Sequence, residues 1–171
     1  MARGLIWFRS DLRIDDNPAL LEAAKSCNEL IGIYIFSQKQ WSLHHESNVK
    51  QDFLVENLDS LEKQLGKLHI PLLVLQTDTY KTLSMDLQKF IETHQINSCY
   101  WNNEFGVNEN QRDDAVETLL SANNIEISRY HDQVIYEPGF LRTGQGKPFS
   151  VFTPFKRRWI ENFSMSFLDL H

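Results

Sequence analysis

The sequence predicts an α/β domain: an open, Rossmann-like, five-stranded parallel sheet in the order 3-2-1-4-5, with helices on both faces. Two observations carry this. Apolar, β-rich runs recur at Gly4–Phe8, Leu30–Phe36, Pro71–Leu75, Ser98–Trp101 and Ile125–Tyr130. They are continuous rather than alternating, as in strands covered on both sides. Between them lie segments with helical periodicity, so strand and helix alternate along the chain. Right-handed crossovers between parallel strands then give the stated order.

The first strand breaks at Phe8 into a turn carrying Arg9, Asp11, Arg13, Asp15 and Asp16. Asn17-Pro18 opens the first helix: Asn is a good N-cap, and proline at the first helical position loses no hydrogen bond. The charged turn sits at the carboxyl edge of the sheet, where open α/β folds place their ligands. A single apolar stripe (Leu54, Leu58, Leu61, Leu65, Leu68) marks a helix over about Ser47 to Leu68. Leu83, Leu87, Phe90, Ile91 and His94 mark the next. Ala115, Val116, Leu119, Leu120 and Asn123 mark the one after, and Asn108 followed by Gln111 has the spacing of a capping box at its start. Beyond the fifth strand the pattern changes. Pro138-Gly139 and Thr143–Pro148 are turn signals, and Thr153-Pro154 caps a last helix, Pro154 to Phe163, carrying Lys156, Arg157 and Arg158. The expected organisation is a core over 1–135 and a turn-rich segment with a final helix over 136–171.

A chain of 171 residues is about one domain, long enough to bury roughly two-thirds of its unfolded surface without disulfide or metal. Cys27 and Cys99 sit among apolar residues and read as buried thiols, which together with the absence of a leader or a membrane-length apolar run points to the cytoplasm. The net charge of −6 argues against a domain whose main surface grips phosphate. The turn after the first strand has no Gly-x-Gly-x-x-Gly, and Gly144-Gln145-Gly146-Lys147-Pro148 lacks the spacing and hydroxyl of a P-loop, so dinucleotide and nucleoside triphosphate binding are not indicated. His44-His45-Glu46 has no zinc-ligand spacing. No metal site is expected.

Three blocks resemble one family. Trp7-Phe8-Arg9-Ser10-Asp11-Leu12-Arg13 with Asp16-Asn17-Pro18-Ala19-Leu20 is similar to the opening of the DNA photolyase and cryptochrome family. Residues 101–114 (Trp-Asn-Asn-Glu-Phe-Gly-Val-Asn-Glu-Asn-Gln-Arg-Asp-Asp) and 149–159 (Phe-Ser-Val-Phe-Thr-Pro-Phe-Lys-Arg-Arg-Trp) resemble two further blocks of that family, in family order.

The resemblance implies the antenna-binding α/β domain of a photolyase, a family whose members split cyclobutane pyrimidine dimers with light and a reduced flavin. FAD would belong to a helical domain following residue 171, so an excised fragment with no repair activity of its own is expected. The antenna chromophore implied is methenyltetrahydrofolate, bound only weakly by the isolated domain. Trp41-x-x-His44 resembles the antenna loop of folate-type members, and His44, Asn108 and Glu109 are the implied contacts. A carboxylate suits the amino-pyrimidinone edge of a pterin, to which it offers two acceptors. The other reading of Asn108 and Glu109 is local: a helix cap and a complement to the helix dipole. For the charged turn, a surface ion-pair network stands against an interdomain contact made by Arg9, Asp11, Arg13, Arg112 and Asp113. The expected partners are the helical domain and, through it, damaged DNA, with no membrane and with weak self-association of the fragment. Three alternatives stay open: a cryptochrome photosensor, an 8-hydroxy-5-deazaflavin antenna, and a stand-alone nucleotide-binding module of the electron-transfer-flavoprotein type, against which the missing glycines speak.

Overall fold

The structure is a computed structural model that describes residues 2–43 and 47–165. Strands β1 (Arg3–Phe8), β2 (Glu29–Ser37), β3 (Leu72–Thr77), β4 (Ser98–Asn102) and β5 (Glu126–Tyr130) form one parallel sheet in the order β3-β2-β1-β4-β5. The expected order and strand positions are met. The helices are α1 (Pro18–Ser26), α2 (Gln38–Leu43), α3 (Asn48–Lys67), α4 (Tyr80–His94), α5 (Val107–Ala122) and α6 (Phe152–Asn162).

The central strand shows why both faces must be covered. Leu5 and Trp7 point to one side, where α4 and α5 supply Leu83, Leu87, Ile91, Val116 and Leu120. Ile6 and Phe8 point to the other, where α1 and α3 supply Ala19, Leu20, Ala23, Leu61 and Leu65. Each such side chain, fully withdrawn from water, contributes about 1.5–3 kcal/mol. Gly4 marks the tightest approach in β1: a Cβ there would lie 2.6 Å from Cys27 Sγ.

The boundaries differ from the sequence reading in four places. Helix α2 has no counterpart in that reading. Helix α5 is capped two residues before the expected position: Gly106 is the N-cap and Asn108 lies inside the first turn. Helix α6 begins at Phe152, which puts Pro154 at its third position, where a missing N–H still loses no intrahelical bond. The α3 stripe closes early: Leu58, Leu61 and Leu65 are buried, but Leu68, the C-cap, is exposed. Cys99 is buried and Cys27 only half-buried. No described helix is long and apolar enough to cross a membrane, and no metal-binding group of three or more His, Cys, Asp or Glu occurs among the described residues.

Candidate functional site

The carboxyl ends of β1 and β2 open into a cleft of about 750 Å³. Its walls come from the turn after β1, from α2 and the first half of α3, and from the first turns of α4 and α5; Trp41, Tyr80, Asn108 and Glu109 line it. Trp41 is held there by packing on Phe36, ring centroids 4.3 Å apart. The cleft also reaches Glu104 and Arg112 beyond β4, and so takes in the boundary between β1 and β4, where strand order reverses and where such sheets bind ligands.

Beneath the cleft lies a charged network that is internal rather than superficial. Arg9, Asp11, Arg112 and Asp113 are each at most 7 % exposed. Asp113 accepts from Arg9 Nη1 at 2.6 Å and from Arg112 Nε at 2.9 Å. Arg112 also donates to Glu104 Oε2 at 2.9 Å, and Ser10 Oγ donates to Glu104 Oε1 at 2.7 Å. Both guanidinium groups stack on the Trp7 ring, Arg9 at 5.1 Å and Arg112 at 4.8 Å, and Arg112 also lies 5.0 Å from the Tyr80 ring. Trp7 meets Trp101 edge-on at 5.5 Å. The surface ion-pair reading is therefore corrected for Arg9 and Asp11, which are buried, whereas Asp15 and Asp16 are exposed. Burial pulls the Arg9 guanidinium below its usual range, with Asp113 opposing. For Glu104, burial pushes upward, but Arg9 and Arg112 together outweigh it and hold the carboxyl below its usual value.

Asp11 ties the turn to the neighbouring strand. Its carboxylate accepts from Arg9 N at 2.8 Å and from Asn102 Nδ2 at 2.6 Å. Asn102 also donates to Asn17 Oδ1 at 2.9 Å and accepts from Ala19 N at 3.2 Å. Asn17 in turn caps α1 by accepting from Leu20 N at 3.1 Å. Burial raises the Asp11 carboxyl above its usual range, against these hydrogen bonds. Arg13 differs from the other four residues assigned to a domain interface: its side chain is 40 % exposed and pairs with Asp132.

Of the implied chromophore contacts, Asn108 and Glu109 reach the cleft from the first turn of α5, Asn108 exposed and Glu109 half-buried. His44 lies outside the described residues. Glu109 also folds back over the helix start: a Cβ on Gly106 would stand 1.9 Å from Glu109 Oε2. As the third helical residue after a Gly N-cap, Glu109 complements the dipole there as well. Three atoms at the cleft floor, Arg9 Nε, Arg9 Nη2 and Ser37 Oγ, are buried without a hydrogen-bond partner among the described residues. Arg9 Nε has Glu104 Oε2 only at 3.8 Å, an ion-pair rather than a hydrogen-bond distance. Sequence reasoning did not single out Asn102 or Glu104, although both stand in the 101–114 block as its second and fourth residues.

Fold and cleft together define a doubly wound α/β domain with an open cleft at the carboxyl edge of its sheet. The chain belongs to the DNA photolyase family, whose model matches residues 4–169. Deoxyribodipyrimidine photo-lyase of Vibrio cholerae is 35 % identical over 159 residues, which cover 93 % of this chain and 34 % of that protein. The Escherichia coli deoxyribodipyrimidine photo-lyase is 32 % identical over 162 residues, 94 % of this chain and 34 % of its own length. This chain thus spans about a third of the relatives it matches. Among solved structures, a bacterial class III photolyase from Agrobacterium tumefaciens superposes with a TM-score of 0.75 at 27 % identity, over 95 % of this chain and 32 % of that one. A cryptochrome from Synechocystis shares the fold with a TM-score of 0.81 at 20 % identity, over 95 % of this chain and 34 % of its own.

Proposed function

We propose that this chain is the light-harvesting antenna unit of a deoxyribodipyrimidine photolyase, with residues 1–135 as the chromophore-binding core and 136–171 leading toward a helical, FAD-binding domain. The single observation that carries the reading is the cleft, which gathers Trp41, Asn108 and Glu109 at the carboxyl edge of the sheet. The donor set fits a pterin. Glu109 supplies a carboxylate for the amino-pyrimidinone edge, Asn108 supplies both a donor and an acceptor, and Trp41 offers an aromatic wall. The unpartnered donors of Arg9 and Ser37 at the floor suit a ligand rich in acceptors. Bound methenyltetrahydrofolate would absorb near-UV or blue light and pass its excitation to the flavin. The protein's own part is to hold the ring, fix its orientation and keep water from it. The buried Arg9–Asp113–Arg112–Glu104 network makes the floor rigid, so the helix end carrying Asn108 and Glu109 has one position.

One observation favours a second chromophore class, a flavin or 8-hydroxy-5-deazaflavin. The cleft extends down to Phe8 and Leu83, deeper than a contact set confined to its rim requires. An archaeal photolyase from Sulfolobus tokodaii holds two FAD molecules, with the implication of a novel light-harvesting cofactor.

The test is a titration of the protein with methenyltetrahydrofolate, followed by absorbance, in parallel with Glu109→Ala. Loss of the charged hydrogen bond should weaken binding by about 1.5–3 kcal/mol. Equal affinities would leave Glu109 with its helix-end role alone. Tighter binding of a flavin than of the folate would decide for the second chromophore class.

A further inference from the structure

We propose that Trp7 and Trp101 are a short-ultraviolet collector for the cleft: light absorbed by either indole is passed on, as excitation energy, to the near-ultraviolet or blue absorber bound there. The proposal rests on the chromophore reading of the cleft and adds to it a source of excitation that belongs to the protein itself. No electron moves and no bond changes in this step. The indole returns to its ground state as the chromophore is raised to its excited state.

The first support is position. The chain has four tryptophans. Trp7 and Trp41 line the cleft, and Trp101 meets Trp7 edge-on at 5.5 Å. Trp159 stands elsewhere, on α6, against Tyr136 and Phe163. An excited indole lies higher in energy than a near-ultraviolet or blue absorber, so transfer runs downhill and one way. Its rate falls steeply with separation. Trp7, in the cleft wall, is therefore the direct donor, and Trp101 feeds it from below.

The second support is rigidity. Trp7 is 2 % exposed and Trp101 is fully buried. The Arg9 and Arg112 guanidinium groups lie 5.1 and 4.8 Å from the Trp7 ring and clamp it. Trp101 is packed in the same cluster as Leu83, Leu87, Val116 and Leu120. Transfer depends on the mutual orientation of the two rings. Here the planes are fixed at 68° instead of averaging over many angles.

The third support is the weakness of competing sinks. An excited indole is drained fastest by groups that accept an electron, such as a protonated carboxyl or an imidazolium. The polar groups around Trp7 are guanidinium groups, which accept electrons poorly, and the carboxylates paired with them. Burial pushes the Glu104 carboxyl up, but Arg9 and Arg112 outweigh it and keep the group ionised at neutral pH. Burial likewise holds Cys99, in the same cluster, as a thiol rather than the more reactive thiolate.

The experiment uses the chain saturated with methenyltetrahydrofolate, with occupancy read by absorbance. In the excitation spectrum of the bound chromophore's emission, the indole band should exceed the chromophore's own absorption there, and indole emission should fall as the chromophore is titrated in. At matched occupancy, Trp7→Phe and Trp101→Phe should each lose more of the indole-excited chromophore emission than Trp159→Phe does. Emission on direct excitation should stay the same in all three. Trp7→Phe and Trp101→Phe leave a cavity in the core; should neither fold, the excitation spectrum of the parent chain decides alone. A bound chromophore with no added indole band overturns the proposal and leaves the chromophore reading standing. A loss in Trp159→Phe equal to that in the other two variants also overturns it, because any indole in the domain would then serve. Should a flavin take the cleft in place of the folate, the same spectra are recorded on the flavin. Binding of neither overturns both proposals.

Discussion

Among single residues, the decisive one is Asp113, wholly buried between two arginines. Its partners repay its desolvation; without it, two buried guanidinium groups share the single carboxylate of Glu104, which Arg9 meets only at 3.8 Å. Asp113→Ala should therefore destabilise the fold by about 3–5 kcal/mol in urea denaturation, far more than an exposed pair would. A loss under about 1 kcal/mol would mean that the network is solvated. Glu104 sets a pH dependence. Its folded pKa lies below the usual 4.5, because Arg9 and Arg112 outweigh burial. Its stabilisation is thus complete above about pH 4.5 and is lost as pH falls through the folded value. Glu104→Gln should flatten the acid limb of the stability curve below pH 4.5 relative to the parent, measured as urea midpoints against pH. Asp11, held above its usual 3.8 by burial, acts with the opposite sign in both proteins, so the difference between them isolates Glu104.

Among the elements, the start of α5 joins structure to the proposed chromophore contact. Gly106 caps it, with φ −65° and ψ 149°, a conformation open to any residue. What requires glycine is the Glu109 carboxylate lying where a Cβ would be. Because Glu109 is flexible, Gly106→Ala should cost only about 0.5–1 kcal/mol of stability. It should nevertheless reduce methenyltetrahydrofolate affinity about as much as Glu109→Ala. Unchanged affinity would show that the carboxylate position at the helix end is irrelevant to the ligand. The element also shows why its charged side was hidden. A periodic reading of α5 finds Val116 and Leu120, which are buried, but also Ala115, which is exposed. It misses Arg112 and Asp113, which complete the buried face.

Across the whole molecule, stability is unevenly distributed. Strands β1 and β4 lie at the centre of the sheet and are buried throughout most of their length, whereas α6 has no buried residue and rests on the segment that follows β5. Native-state hydrogen exchange should reflect this: amides of β1 and β4 should open only with global unfolding, and those of α6 at much lower free energy. Protection of α6 equal to that of β1 would mean that α6 is integral to the cooperative core.

The family, the five strands and their order were all legible in the amino-acid sequence. Continuous apolar runs leave no other way to hide two-sided strands than helices on both faces, and right-handed crossovers then demand one reversal of strand order, which falls between β1 and β4. Asn108 and Glu109 also came forward as candidate site residues, through the block that carries them. The state of the charged turn was settled by tertiary packing instead. Arg9, Asp11, Arg112 and Asp113 carry the same formal charges whether they are solvated or buried. What buries them is the meeting of Trp7, Trp101 and α5, brought together across more than ninety residues of chain. The register of α5 was likewise fixed in three dimensions: Asn108 suits a cap by composition, but the helix begins at Val107, and the cap position falls to Gly106, over which Glu109 folds.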